Sequence, residues 1–168
     1  NIYKIIKNKK IKLYIGPRHL NRISEISKIL TKHKLSFSLE SELINDNNEV
    51  TIIDSFGNLE KYFKKCDIVI LGGSFISKGG HNPIEPALHK CAIISGHFVY
   101  NWQNIYDEMQ KEEACIIVRN LKELTNKIIN LLENKIILEN YKKKALDFSN
   151  KDFFDNETLF NEINLVLK

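Results

Sequence analysis

The 168-residue chain lacks an apolar run long enough to cross a bilayer. Its most apolar stretches, around 68–71 and 92–94, fall far short of the roughly 20 residues that a membrane-spanning helix needs. No signal-peptide pattern opens the chain, and the net charge of +4 comes from scattered lysines and not from a basic arm. These absences argue against a transmembrane, a secreted and a nucleic-acid-binding protein.

Cysteine is scarce as well. The three residues, Cys66, Cys91 and Cys115, are odd in number and widely spaced. They lack the close pairs that zinc sites and redox motifs require, so neither a metal site nor a disulfide framework is predicted. We expect reduced, buried thiols of a cytosolic protein.

Arginine, proline and glycine are rare in a chain dominated by Asn, Ile and Lys. There are three arginines, three prolines and seven glycines, and four of the glycines fall within Gly72–Gly80. Because residues that persist against such a compositional bias are informative, binding chemistry is expected first in that segment.

Short apolar segments alternate with amphipathic ones along the chain. The predicted strands are Lys12–Ile15, Leu35–Leu39, Val50–Ile53, Asp67–Leu71, Ala92–Ile94 and Cys115–Val118. The predicted helices are Asn21–Lys34, Leu59–Lys65, one opened by proline near Pro83 or Pro86, Trp102–Glu112, Leu121–Leu132, Lys135–Asn150 and Glu157–Leu167. Continuous apolar strands between helices predict a Rossmann-like, doubly wound parallel sheet, in a single α/β domain over residues 1–168. The lead-in Asn1–Lys10 without a capping element is typical of a domain cut from a longer chain.

The strand ending at Leu71 is followed by Gly72, Gly73 and Ser74, and a second glycine pair follows at Gly79–Gly80. In parallel sheets, ligands bind beyond the carboxyl ends of the strands. Glycine backbone N–H groups and a serine hydroxyl suit an anion there. The alternative is a plain glycine-rich turn.

Glu85 has two interpretations. If Pro83 is the first helical residue, Asn82 caps the helix and Glu85 completes a capping box. If Pro86 is the first helical residue, Glu85 precedes the helix and its carboxylate faces the cleft, where it accepts hydrogen bonds from paired sugar hydroxyls. Local physics leaves both open.

Arg18 follows Gly16–Pro17 at the end of the first predicted strand. An arginine in a lysine-rich chain suggests that its planar guanidinium makes two parallel hydrogen bonds to a phosphate or carboxylate. The alternative is a solvated surface arginine. His19 and His81 flank the same edge and could donate hydrogen bonds to an anion. Neither is predicted to act as a general acid or base. The chain shows no nucleophile set of the Ser/His/Asp or Cys/His kind.

The run V-I-L-G-G-S-F-I-S-K-G-G-H-N-P-I-E-P-A, from Val69 to Ala87, resembles the signature of the 3-deoxy-D-manno-octulosonic acid (Kdo) transferases. Three shorter motifs resemble the family too: G-P-R-H at Gly16–His19 followed by Arg22, D-S-F-G-N-L at Asp54–Leu59, and Y-N-W at Tyr100–Trp102. The resemblance extends from Leu13 to about Val118.

The resemblance implies a GT-B glycosyltransferase, in which two Rossmann-like domains face a cleft. The family moves Kdo from CMP-Kdo to a lipid A precursor, at the cytoplasmic face of the bacterial inner membrane, in lipopolysaccharide biosynthesis. The chain is similar to the carboxyl-terminal, donor-binding half. The general base and the acceptor surface belong to the amino-terminal half, so no catalytic residue, metal or cofactor is expected here. A separate amino-terminal polypeptide is a possible partner, and the isolated chain is expected not to transfer sugar.

The resemblance also assigns donor-binding roles. Arg18 and the loops around Gly73–Ser74 and Gly79–Gly80 are expected to hold the phosphate, and Glu85 the ribose. The Phe56–Gly57 loop is expected to border the cytosine. His81, Asn82 and Asn101 are expected to shape the donor pocket.

Two departures from the family pattern put nearby donor contacts in question. Asn58 stands in place of Glu, and Ser95-Gly96-His97-Phe98 replaces a Gly-Pro-His order. Two other interpretations remain: a GT-B half that uses a UDP- or GDP-sugar, and a non-catalytic docking subunit.

Overall fold

Parallel strands form two three-stranded sheets, one in each of two units of the chain. The computed structural model describes residues 11–42, 47–57 and 59–151. In chain order its elements are β1 (Leu13–Ile15), α1 (Ile23–Lys32), β2 (Phe37–Leu39), β3 (Val50–Ile52), α2 (Leu59–Phe63), β4 (Ile68–Leu71), α3 (Ile84–Leu88), β5 (Ala92–Ser95), α4 (Gln103–Lys111), β6 (Ile116–Ile117), α5 (Leu121–Glu133) and α6 (Lys135–Ser149). Single 3-10 turns cover Leu20–Arg22, Glu40–Glu42 and Tyr100–Trp102.

The first unit contains the described residues up to Cys66, together with α5. Its strands lie in the order β1-β3-β2, and both pairings are parallel. The central strand β3 is fully buried, and the α1 residue Leu30 packs against Val50 and Ile52 in one core. The apolar positions of α1 recur at helical spacing, so one face of the helix covers the sheet.

The second unit contains Asp67–Asn120 and the described residues from Asn134 onward. Its strands lie in the order β4-β5-β6, again parallel. All four residues of β5 are buried, as expected for the central strand of a sheet that is covered on both faces. Ile93, Tyr106, Met109 and Phe148 belong to the core that joins β5, α4 and α6.

Three helices end in a left-handed residue that is not glycine. Lys34, Lys90 and Glu113 have φ angles of 55°, 57° and 55° and lie between a helix and the following strand. The next residue donates its N–H to a carbonyl five residues earlier, in the bonds Leu35 N to Leu30 O, Cys91 N to Pro86 O and Ala114 N to Met109 O. This is the Schellman pattern, in which glycine is the preferred residue.

The predicted α/β class is confirmed, and every predicted strand occurs: five have shorter bounds than predicted, and β5 extends one residue further, to Ser95. The helix near the prolines begins at Ile84, between the two predicted starts. The predicted helix Glu157–Leu167 and the lead-in Asn1–Lys10 lie outside the described residues. None of the helices that the structure describes is both long enough and apolar enough to cross a membrane.

Candidate functional site

The carboxyl end of β4 leads into the glycine loop, which we define as Gly72–Gly80. Three of its glycines, Gly73, Gly79 and Gly80, have φ angles of 69°, 84° and 74°. Side chains with a β-carbon rarely adopt this left-handed region, so the loop conformation requires glycine at these positions. The loop therefore has a defined conformation that depends on glycine at these positions.

The two glycine pairs of the loop face different environments. Gly72 is exposed and Gly73 is half-buried, whereas Gly79 and Gly80 are buried. The Gly80 N–H donates to the Gly73 carbonyl at 3.2 Å and closes the loop on itself. The first pair is thus accessible to a ligand, and the second pair lies inside the fold beneath it.

Asn101 holds the second glycine pair in place. Its backbone N–H donates to the Gly79 carbonyl at 3.1 Å, and its side-chain Nδ2 donates to the Lys78 carbonyl at 3.3 Å. A β-carbon on Gly79 would overlap the Asn101 side chain. Asn101, predicted to shape a donor pocket, therefore acts on the glycine loop itself.

Ser74 joins the loop after β4 to the loop after β5. Its buried hydroxyl donates to the Leu71 carbonyl at 2.7 Å and accepts from the Gly96 N–H at 2.8 Å. The Ser74 carbonyl accepts from the Phe98 N–H at 3.0 Å. The sequence predicts this hydroxyl as a ligand donor, but its only proton is directed to Leu71.

Gly96 stands in a segment that departs from the family pattern, but sequence reasoning missed its structural role. A β-carbon there would overlap the Ser74 carbonyl, so the two loops approach each other at a distance that only glycine permits. Its membership of a set of only seven glycines was the available signal.

Tyr106 is a second missed residue. It lies on α4 with no exposed surface, and its hydroxyl donates to the His81 carbonyl at 3.0 Å. Burial raises the pKa of Tyr106, so the hydroxyl stays protonated and remains a donor across the physiological range. From sequence it is one core-facing residue of an amphipathic helix, with no signal of this contact.

The start of α3 matches the first interpretation of Glu85 in one respect, because the Asn82 side chain caps the first N–H of the helix, and neither predicted start is the observed one. Asn82 Oδ1 accepts from the Ile84 N–H at 2.9 Å, and Glu85 is the second helical residue, with an exposed side chain. Pro86 lies in the first turn, where a backbone N–H has no partner within the helix, so its missing donor costs little. Since α3 has only five residues, we assign little ligand affinity to its dipole.

The first unit carries the two remaining predicted residues. Arg18 follows β1 and is exposed, and Gly57 follows β3 with a φ of 79°. Because β1 and β3 are parallel neighbours, both residues lie at the carboxyl edge of the same sheet. Phe56 is 74% exposed beside Gly57. All other predicted donor residues belong to the second unit.

The loop after β3 is held by Asp54. Its carboxylate accepts from the Ser41 N–H at 3.0 Å and from the Ser41 hydroxyl at 2.5 Å, and these bonds hold the pKa of Asp54 below its usual value. The neighbouring Asn58, which departs from the family pattern, lies outside the described residues. Asp54 thus positions the turn that carries Phe56 and Gly57.

The cysteines do not form a site. All three are free thiols; Cys91 and Cys115 are buried and Cys66 is half-buried. Burial raises the pKa of Cys115 to about 12. Among residues 11–42, 47–57 and 59–151, no group of three or more His, Cys, Asp or Glu side chains is arranged to hold a metal ion.

Comparisons with known proteins support the resemblance seen in the motifs. A 3-deoxy-D-manno-octulosonic acid transferase of Rickettsia prowazekii is 35% identical over 138 residues, which is 79% of this chain and 29% of that protein. A bifunctional glycosyltransferase/methyltransferase of Fusobacterium nucleatum is 28% identical over 172 residues, which is 100% of this chain and 25% of that protein. No family model matches the chain.

A solved structure has the same fold. The crystal structure of the C-terminal CMP-Kdo binding domain of WaaA from Acinetobacter baumannii matches with a TM-score of 0.80 and 24% identity, over 88% of this chain and 78% of that chain. The chain spans less than a third of the length of the two curated relatives described above.

Proposed function

We propose, on the basis of the chain's homology with the Kdo transferase family, that it is the donor-nucleotide-binding part of a glycosyltransferase that uses CMP-Kdo. The relatives bear the transferase name, and the solved domain with the same fold is described as binding CMP-Kdo. The enzyme would transfer Kdo to a lipid A precursor in lipopolysaccharide biosynthesis.

One observation carries the proposal: the run Val69–Ala87, which carries the resemblance to the family, places a loop that requires glycine between β4 and α3, at the carboxyl edge of a parallel sheet. Gly72 and Gly73 are its accessible glycines. Backbone N–H groups in such a turn suit the phosphate of the donor. Arg18, which belongs to the first unit, is proposed as a phosphate ligand on the family motif alone. The exposed Glu85 carboxylate would accept hydrogen bonds from the ribose hydroxyls.

Three other predicted residues stabilise the glycine loop and the start of α3 without facing the ligand. Asn101 holds Gly79, Asn82 begins α3, and Ser74 ties the glycine loop to the loop after β5. They would act on the donor through the shape of the loop. Groups that bind the departing CMP phosphate more strongly in the transition state accelerate transfer without moving a proton.

The acceptor, the general base and the membrane contact are proposed to lie outside this chain. A protein about three times as long, or a separate amino-terminal polypeptide, would supply them, at the cytoplasmic face of the inner membrane. We therefore expect no Kdo transfer from CMP-Kdo to a lipid A precursor by the isolated chain, measured with a radiolabelled acceptor. Measurable turnover by this chain alone would contradict the assignment of the general base.

Calorimetric titration of CMP, UDP and GDP into the chain tests the donor assignment. We expect binding selective for CMP, weakened about tenfold or more by Arg18→Ala and by Glu85→Gln, since each change removes a hydrogen bond to a charged group. Lys28→Ala and Glu108→Gln serve as charge-matched controls and are expected to bind as the unchanged chain does. Preference for UDP or GDP would favour another glycosyltransferase class, and no binding of any nucleotide would overturn the proposal.

A further inference from the structure

A buried hydroxyl of α4 controls the segment that follows the glycine loop. Tyr106 is fully buried, and its O–H donates to the carbonyl of His81, 25 residues earlier in the chain, at 3.0 Å. A partly buried carbonyl that loses its donor keeps part of its desolvation penalty. This bond therefore helps to hold the His81 backbone in place.

His81 in turn lies against the accessible half of the glycine loop. Its ring is in van der Waals reach of the space beside Gly72 and Gly73: a β-carbon on Gly73 would meet Nε2 at 3.5 Å. The residue directly follows the buried Gly80 and precedes Asn82, whose side chain begins α3. Fixing the His81 carbonyl thus restrains the backbone from which the ring reaches the two accessible glycines.

A second buried hydroxyl, that of Ser95, lies near Tyr106. Ser95, the last residue of β5, has no exposed surface, and within the described part of the chain its Oγ makes no hydrogen bond of ordinary geometry. It lies near the Tyr106 oxygen: an interaction with the Ser95 side chain opposes the rise that burial gives the pKa of Tyr106.

We propose that Tyr106 is a positioning residue for donor binding: by holding the His81 carbonyl, it sets the His81 ring and the accessible glycines in the arrangement that receives the donor phosphate. The Ser95 hydroxyl shares the same buried environment as the Tyr106 oxygen. This role rests on the proposed function. Tyr106 itself lies outside the motifs that carry the family resemblance.

The first test is CMP titration of Tyr106→Phe, which keeps the ring and removes only the hydroxyl. We expect the Kd for CMP to rise about tenfold, because the His81 segment loses a hydrogen bond that positions it beside the accessible glycines. Met109→Leu perturbs the buried face of the same helix and leaves the Tyr106 hydroxyl in place, and it is expected to bind CMP as the unchanged chain does. An unchanged Kd for Tyr106→Phe would overturn the proposal, and so would an equal loss in Met109→Leu.

The second test does not depend on nucleotide. Hydrogen–deuterium exchange followed by mass spectrometry should show faster exchange over residues 72–84 in Tyr106→Phe, with β5 unchanged. If the unchanged chain does not bind CMP, the proposed function fails, and exchange alone decides whether Tyr106 positions the loop. Ser95→Ala should show the same effects more weakly, and it replaces Tyr106→Phe if that variant does not fold. Unaltered exchange over residues 72–84 in a folded Tyr106→Phe variant would contradict the positioning role.

Discussion

The Ser74 hydroxyl accepts a 2.8 Å hydrogen bond from the Gly96 N–H while it donates to the Leu71 carbonyl at 2.7 Å. Both its proton and its oxygen are thus used between the end of β4 and the loop after β5. The side chain has no exposed surface. This contact makes the two loops one rigid support for the accessible glycines.

Ser74→Ala should destabilise the chain, because it leaves a buried N–H and a buried carbonyl without their partners. We expect a loss of about 1–3 kcal/mol in the free energy of unfolding, measured by urea denaturation. Ser77→Ala, at an exposed position of the same loop, should change it by less than about 0.5 kcal/mol. Equal stability of the two variants would contradict the structural role of Ser74.

Gly57 and Gly79 allow backbone strain and crowding to be separated. Their φ angles, 79° and 84°, are nearly equal, but a β-carbon on Gly57 meets open space and one on Gly79 meets Asn101. Gly57→Ala should cost about 1–2 kcal/mol from strain alone, and Gly79→Ala should cost more. Both are measured by denaturant unfolding.

The pair Gly79 and Asn101 should also be coupled. In the double variant Gly79→Ala with Asn101→Ala, the smaller side chain leaves room for the added methyl group. The combined loss should therefore be smaller than the sum of the two single losses. Strict additivity would show that the Asn101 side chain does not crowd Gly79.

Lys34→Gly should stabilise the first unit. Lys34 has a φ of 55° at the end of α1, where glycine has no steric penalty. We expect a gain of about 1 kcal/mol in thermal or urea unfolding, whereas Lys28→Gly, within α1, should lose about 1 kcal/mol. A loss in Lys34→Gly would mean that the lysine side chain contributes more than the strain costs.

The Cys115 thiol should resist alkylation until the chain unfolds. Its pKa of about 12 lies above the usual 9.0, so the native thiol is protonated while the unfolded one ionises. The unfolded state then binds fewer protons between about pH 9 and 12, and Cys115 contributes a loss of stability as pH rises through that window. Iodoacetamide labelling with peptide mapping at pH 8 should modify the half-buried Cys66 first. Rapid labelling of Cys115 in the native chain would contradict this burial.

The helices and strands that could be predicted from the sequence are those set by the hydrophobic pattern of their own segment. The apolar run Ala92–Ile94 and the helical spacing in Asn21–Lys34 predict β5 and α1, because each segment carries its own hydrophobic pattern. The glycine-rich segment was also identified correctly as an unusual turn, since its composition stands out against the rest of the chain. The start of α3 was not predictable, because Pro83 and Pro86 each satisfy the rules for a first helical turn.

The contacts that organise the candidate site were not predictable, since they join distant residues. Ser74 and Gly96 are 22 residues apart, and their contact depends on how β4 and β5 align side by side. Tyr106 and His81 meet only after α4 packs on the sheet. Sequence patterns indicated which segments lie at the sheet edge, whereas packing decided which atoms there face solvent.

The hydrogen bonds that hold the glycine loop and the His81 segment after it are made by neutral groups: Ser74 with Gly96, Asn101 with Gly79, and Tyr106 with His81. Dissolved salt screens charges and acts little on hydrogen bonds between neutral groups. The shape of the loop should therefore be the same in dilute buffer and at high ionic strength. Any effect of added salt on nucleotide affinity would then report the charge of the ligand and of the side chains that meet it, and not a rearrangement of the loop.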